Sequence, residues 1–322
     1  MIKESSNAWT RNKLRGVDKH PNWKQIQMGG GLIEKDGYTF LYDESSDTIL
    51  CLTRKPKTAL CFRISFDLDS KSISIDLSYN KFCPQNKDME KSHGTLIMLS
   101  AAIELIFRRK DLMLYSSILL TDNSTVDCIS HIDDKSYEIN LMDMNLLCCG
   151  CTWHSTIIPM FLQYENDEKQ YLKSRENILT CSWAEMINNM PLEAQTIINE
   201  TIVFENEDSY TLPAHVILSK ITYARIHCVL FNWFMSEFLK ALGAESVYGK
   251  PWIIPMHEGK IVVCESDPLT KACWNPGKKW IVPQSFFEFV TLDRYASMKK
   301  SLQTPDTSSK PTVGLIKNNV VY

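Results

Sequence analysis

Between residues 38 and 79, hydrophobic positions come in short runs at 38–42, 48–52, 59–66 and 72–77, separated by charged or turn-forming stretches at 43–47, 54–57 and 67–71. Runs of this length, rich in β-branched and aromatic residues, predict an antiparallel meander. In Ser72-Ile73-Ser74-Ile75-Asp76-Leu77 the alternation is strict, so Ile73, Ile75 and Leu77 are expected on one buried face. The period then changes. From Gly94 through Leu96, Met98, Ala101, Ile103, Leu105 and Ile106 to Arg108-Arg109-Lys110 the pattern predicts a helix capped by Ser92 and apolar nearly all round. Such a helix must be buried against the sheet, and its cationic end suits the negative end of the helix dipole. A strand at 114–120, a turn at 121–124 and a helix over about 140–150 complete this half.

Beyond Trp153 the pattern is mostly helical. Ser182-Trp183-Ala184-Glu185 is a capping box, and Pro213 opens a long helical run that ends at Ala241-Leu242 with Gly243 as its stop. Met190-Pro191 interrupts the helical pattern between them. Short strand-like pieces return over 251–282, at Ile253-Ile254, 260–264 and 280–282. Residues 301–310 are Ser, Thr, Pro and charge, which predicts a disordered tail over 301–322. At the other end, Lys3, Arg11, Lys13, Arg15, Lys19 and Lys24 face only Glu4 and Asp18, and Gly29-Gly30-Gly31 closes the run, so residues 1–31 read as a loosely held basic arm. The expected fold class is α/β: a mixed-sheet domain over 32–160 with a buried helix, then a mostly helical domain over 161–300 ending in short strands.

Composition narrows the class. The chain has 322 residues, 44% of them hydrophobic, enough for one large core or two ordinary ones. Lys and Arg total 35 against 38 Asp and Glu, a net charge of -3, so no overall field favours nucleic acid as a partner. The eleven cysteines are odd in number, three crowd together at Cys148, Cys149 and Cys151, and no apolar stretch follows Met1-Ile2-Lys3-Glu4. Reduced cysteines and a cytoplasmic location are therefore expected. The most apolar long stretch, 216–239, contains Lys220, Arg225 and His227, so no membrane span is expected.

Several residue sets could carry chemistry. Cys148, Cys151 and His154 have spacing that would supply three ligands to tetrahedral zinc, with Cys128, His131, Cys264 or Cys273 as further donors, although none completes a recognised spacing. Buried cysteines packed as small hydrophobes are the commoner use of such residues, and no metal is assigned. A thiol hydrolase would need Cys83 or Cys151 brought to His93. Asp133-Asp134 sits in a polar turn, while Asp122 lies at a strand end, where site residues gather and where turn-forming Asp is also frequent. Trp252, Trp274 and Trp280 among Lys250, Lys271, Lys278 and Lys279 suggest either a stacking surface or a small core. Tyr223, Phe231, Trp233, Phe234 and Phe238 recur at helical spacing, as in a core or a partner interface.

The order of meander, helix with a Gly at its start, strand and helix resembles the GNAT family of acetyl-CoA-dependent N-acyltransferases. Gly94-Thr95-Leu96-Ile97-Met98-Leu99, Leu119-Leu120-Thr121-Asp122-Asn123-Ser124 and Gly150-Cys151-Thr152-Trp153 resemble, in the same order, segments of GNAT-like proteins of large DNA viruses. The resemblance covers roughly residues 38–160. It implies that Lys91, Ser92, His93, Gly94 and Thr95 hold the pyrophosphate of acetyl-CoA on bare helix amides, with Asp122 at the site. It also implies that a side chain after the second helix protonates the departing thiolate, a place often held by Tyr and here by His154. The acceptor would be an amine on a small molecule or protein, and the C-terminal helices would meet protein partners. The alternative use of such a fold is a catalytically silent structural or interaction component of a virus.

Overall fold

The computed structural model describes residues 2–5, 30–35, 38–45, 47–52, 60–77, 94–121, 125–129, 135–202, 210–223, 228–274 and 283–304. Strands β1 (Ile2–Ser5), β2 (Gly30–Lys35), β3 (Tyr38–Glu44), β4 (Thr48–Leu52), β5 (Leu60–Asp67) and β6 (Ser72–Leu77) precede helix α1 (Gly94–Phe107). Each strand from β2 to β6 pairs antiparallel with the next, so the expected meander is present with one more strand at its start. Its last turn is held by Asp67, whose carboxylate accepts the amide hydrogens of Asp69 and Ser70 at 2.9 and 3.2 Å. Ile33, Phe40, Ile49, Ile64, Ile73 and Ile75 are all buried.

Helix α1 is as buried as its all-round apolar pattern requires. Met98, Leu99, Ala101, Ala102, Ile103 and Ile106 have no exposed surface, and the helix packs against β2, β5 and β6. Its cationic residues, however, lie past its end rather than in its last turn. Arg109 there forks onto Asp111, reaches Glu44 at 3.2 Å and stacks over the Phe66 ring at 4.1 Å. Ion pairing and a ring face hold this guanidinium, and the Arg109 fork keeps the Asp111 carboxyl below the usual carboxylate range.

A 3-10 turn, Leu112–Leu114, occupies the start of the stretch expected as strand, and β7 (Ser117–Thr121) follows. β7 runs parallel to β6, from Ser72 opposite Ser117 to Ile75 opposite Leu120. This βαβ crossover fixes the direction of α1. Arg109 contacts Phe66, which pairs with Ile73 near the start of β6, so the 14-residue helix, about 21 Å long, begins near the opposite, C-terminal edge of the parallel pair.

Next come β8 (Thr125–Ile129) and β9 (Ser136–Asn140), which form a three-stranded sheet with β1. Ile2–Ser5, expected within a loose arm, is thus a strand, and Gly30 and Gly31 belong to β2; residues 6–29 lie outside the described part. Helix α2 (Leu141–Cys149) is capped by Asn140, whose side chain accepts from Met142 N and Asp143 N, and stops at Gly150 in the left-handed region (φ 69°). Any Cβ at Gly150 would also stand 3.1 Å from Leu179 Cγ. Strand β10 (Phe161–Leu162) leads to α3 (Glu165–Thr180), α4 (Trp183–Asn188), α5 (Leu192–Thr201), α6 (Ala214–Tyr223) and α7 (Cys228–Ala241). The Ser182 capping box forms as expected, with Glu185 Oε2 accepting from Ser182 N at 2.9 Å. The long apolar run is two helices, α6 and α7, with 224–227 outside the described residues. Phe231 and Phe238 are core, while Trp233 meets Tyr137 of β9 edge-on at 6.2 Å.

The chain then returns to the sheet. β11 (Pro251–His257) pairs antiparallel with β7, β12 (Lys260–Val263) with β11, and β13 (Phe287–Phe289) lies parallel to β12; α8 (Pro268–Cys273) and α9 (Leu292–Leu302) complete the set. The principal sheet has ten strands, ordered β13-β12-β11-β7-β6-β5-β4-β3-β2 with β10 beside β11. Strands from both halves of the chain therefore share one sheet, and α3 to α7 are inserted between two of its strands. The expected tail begins in α9 and in a bond from Gln303 Nε2 to Leu162 O at 2.9 Å; residues from 305 on lie outside the described part. No helix among the described residues is long and apolar enough to cross a membrane.

Candidate functional site

Of the residues expected to cradle a pyrophosphate, Gly94 and Thr95 form the first turn of α1, at the C-terminal edge of the β6–β7 pair, while Lys91, Ser92 and His93 lie outside the described residues. Asp122 also lies outside them; β7 ends at Thr121. At this edge the β6–β7 register stops at Ile75 opposite Leu120, one residue before β7 ends at Thr121, while β11 runs along the other side of β7 with Pro251 opposite Thr121. In open sheets with parallel strands, ligands gather at such edges.

His154 begins a short 3-10 turn, His154–Thr156, just after α2. The turn is held by hydroxyl groups. Thr152 N donates to Tyr171 Oη at 2.9 Å, Thr152 Oγ1 to Ser155 Oγ at 3.0 Å, and Ser155 Oγ to Thr152 O at 2.9 Å. Tyr171 is fully buried, and that burial raises its phenol above the ordinary range, so it acts as a fixed neutral strut. It packs edge-on against Trp252 at 5.5 Å, and Trp252 stands opposite Leu120. Thr152, Tyr171 and Trp252 thus join the His154 turn to the end of β7. His154 itself is only 4% exposed and meets the Trp153 ring edge-on at 4.8 Å.

Cys151 is not a reduced thiol. It forms a disulfide with Cys273, the last residue of α8, across 122 residues, with Cα atoms 5.7 Å apart. Cys61 is disulfide-bonded as well. The expectation of reduced cysteines is corrected on this point, and the physical reason is tertiary: α8 docks against the turn after α2, a proximity that no sequence spacing encodes. The bond also withdraws Cys151 from the three-residue zinc set considered above and from any pairing with His93. Among the described residues no group of three His, Cys, Asp or Glu could hold a metal ion.

The described tryptophans of this set, Trp252 and Trp274, are core rather than a stacking surface. Trp252 has no exposed surface and Trp274 has 8%, Lys250 is engaged by Asp167 at 2.8 Å, and Trp280, Lys278 and Lys279 lie outside the described residues. A cluster that sequence reasoning missed lies near α8. Asp267 caps α8, accepting from Leu269 N and Thr270 N at 3.1 Å each, and pairs with Lys299 of α9 at 3.2 Å. Lys299 also pairs with the buried Glu168 of α3, which accepts from Gln303 Nε2 at 2.9 Å. Burial raises the Glu168 carboxyl, Lys299 opposing it, and burial likewise raises the phenol of Tyr295 beside the cluster. Three distant helices supply these groups, so no local pattern could have announced them. Comparison of the chain with models of known protein families, with curated proteins and with solved structures returns no match.

Proposed function

We propose that this chain is a GNAT-like N-acyltransferase that moves an acetyl group from acetyl-CoA to an amine. The observation that carries the reading is the passage from an antiparallel meander, through the buried α1, into the parallel β6–β7 pair, whose C-terminal edge receives the start of α1. The end of the β6–β7 register at Ile75 and Leu120 supports room for a thioester there, and the start of α1 at Gly94 supports an anion site, since the first amides of a helix have no intrahelical partners. In this reading Lys91, Ser92 and His93 complete the pyrophosphate cradle. The amine nitrogen attacks the thioester carbonyl and releases a proton to solvent, the carbon–sulfur bond breaks, and His154 protonates the leaving thiolate, with Asp122 as the second candidate catalytic residue. The reading places the protein in a cytoplasm, with the acceptor a small molecule or protein.

A second reading, a catalytically silent GNAT-like component of a virus, is favoured by the burial of His154, which leaves 4% of its surface open. Titration calorimetry with acetyl-CoA separates the two. A binding heat that disappears in Gly94→Trp, together with acetyl transfer that falls by about 100-fold in His154→Ala, is expected for the enzyme. No heat from a chain with an intact circular dichroism spectrum would establish the silent reading instead.

A further inference from the structure

The buried cluster beside α8 sets one amine against two carboxyl groups. Lys299 Nζ lies 3.2 Å from Asp267 Oδ1 and also pairs with Glu168 Oε1. The three side chains are 15%, 5% and 8% exposed, so bulk water barely reaches them, and the Phe161 and Tyr295 rings stand 5.3 and 6.0 Å from the ammonium. The other oxygen of each carboxyl is held as well. Asp267 Oδ2 accepts the amide hydrogens of Leu269 and Thr270 at 3.1 Å each, and Glu168 Oε2 accepts from Gln303 Nε2 at 2.9 Å. Two backbone donors on one carboxyl oxygen are the arrangement that stabilises a tetrahedral intermediate, because negative charge gathers on that oxygen when a nucleophile adds to the carbon. An ammonium and two carboxyls kept from water carry a desolvation cost that an amide carries far less of. Asp267 is also barred from the common local loss of water, ring closure by the next residue's amide nitrogen, since Pro268 has no N–H.

We propose that Asp267 and Lys299 condense into an intramolecular amide, with Glu168 moving the protons. Asp267 Oδ1 takes one proton from the Lys299 ammonium, and the freed lone pair of Nζ attacks Asp267 Cγ. The electron pair of the Cγ–Oδ2 double bond moves onto Oδ2, where Leu269 N and Thr270 N hold the charge. Glu168 gives its proton to Oδ1, the Cγ–Oδ1 bond breaks to release water, and the pair on Oδ2 restores the carbonyl. Glu168 then takes a proton from Nζ and returns to its starting state. Nothing is oxidised or reduced: two ammonium hydrogens and Oδ1 leave as one water. Burial raises the Glu168 carboxyl against the pull of Lys299, which suits it to carry that proton. Contact between the reacting groups replaces a bimolecular encounter, the advantage that a buried site offers over two groups in solution. The link ties α9 to α8 across 32 residues and leaves Oδ2 in place as the cap of α8. It stands whether or not the chain transfers acetyl groups.

The test is the mass of the full chain, taken from the folded state and then reduced and denatured, followed by proteolysis and peptide mass spectrometry. The wild type is expected to be lighter than its sequence by one water and to yield a branched peptide that joins Asp267 to Lys299, a result that needs no variant. Lys299→Arg keeps a cation beside both carboxyls but cannot form this amide, so it is expected to show the full mass with a wild-type circular dichroism spectrum. Glu168→Gln is expected to form the link about 100-fold more slowly. A folded wild-type chain at its full sequence mass would overturn the proposal, as would a lost water mapped to any other residues, the Glu168–Lys299 pair included. Linkage at the wild-type rate in Glu168→Gln would overturn the role given to Glu168.

Discussion

Glu168 shows how a single carboxylate is governed by three helices. It sits in the first turns of α3, only 6% exposed, with Lys299 and Gln303 as its partners and Asp267 across the same ammonium. Desolvation by burial outweighs Lys299 and raises the Glu168 carboxyl above its ordinary value, with the neighbouring Asp267 adding to the rise. The sign follows from linkage. A group that binds its proton more tightly in the folded state favours folding most below its unfolded pKa, and that contribution is lost as pH rises through the folded value. Glu168→Gln is therefore expected to flatten the fall in stability as pH rises above about 4.5, measured as urea midpoints from pH 4 to pH 8. An unchanged pH slope in the variant would show that Glu168 does not titrate with folding.

At the scale of elements, caps decide where helices begin and what they bind. Asp143, in the first turn of α2, is 3% exposed and accepts from Asn140 Nδ2 at 2.9 Å, Ser246 Oγ at 2.6 Å and Val247 N at 2.8 Å. It ties α2 to the segment that leads into β11. Asp143→Ala leaves a buried amide, an amide side chain and a hydroxyl unpaired, and a loss of about 2–4 kcal/mol is expected, read as a lower urea midpoint at constant slope. Local patterns foretold many of these elements. The meander strands fall within a few residues of their alternating runs, α1 begins at Gly94, and the Ser182 capping box closes as read. Local patterns failed where the signal is weak or shared. β8 and β9 are short and mixed in character, and α8 and α9 were missed among residues that look like loop and strand.

For the whole molecule, the decisive fact is that β7 is an interior strand, paired with β6 on one side and with β11 on the other, from Thr121 opposite Pro251 to Ser117 opposite Pro255. A fragment ending at residue 160 would bare the β11-facing edge of β7 and the apolar surface that Trp252, Ile253 and Ile254 cover. Such an edge pairs with other chains, so the fragment is expected to aggregate rather than give a monomeric cooperative unfolding transition in size exclusion and thermal melts. The sequence by itself determined what depends on neighbours a few residues apart: the mixed α/β class, the meander, the buried helix, and the caps and glycine stops. Only the tertiary structure decided the ten-stranded sheet that joins both halves, the burial of His154, Trp252 and Trp274, the Cys151–Cys273 bond and the Glu168–Lys299–Asp267 cluster. Each of these joins residues far apart in the chain, and such contacts follow from the packing of whole elements, which spacing and periodicity do not encode.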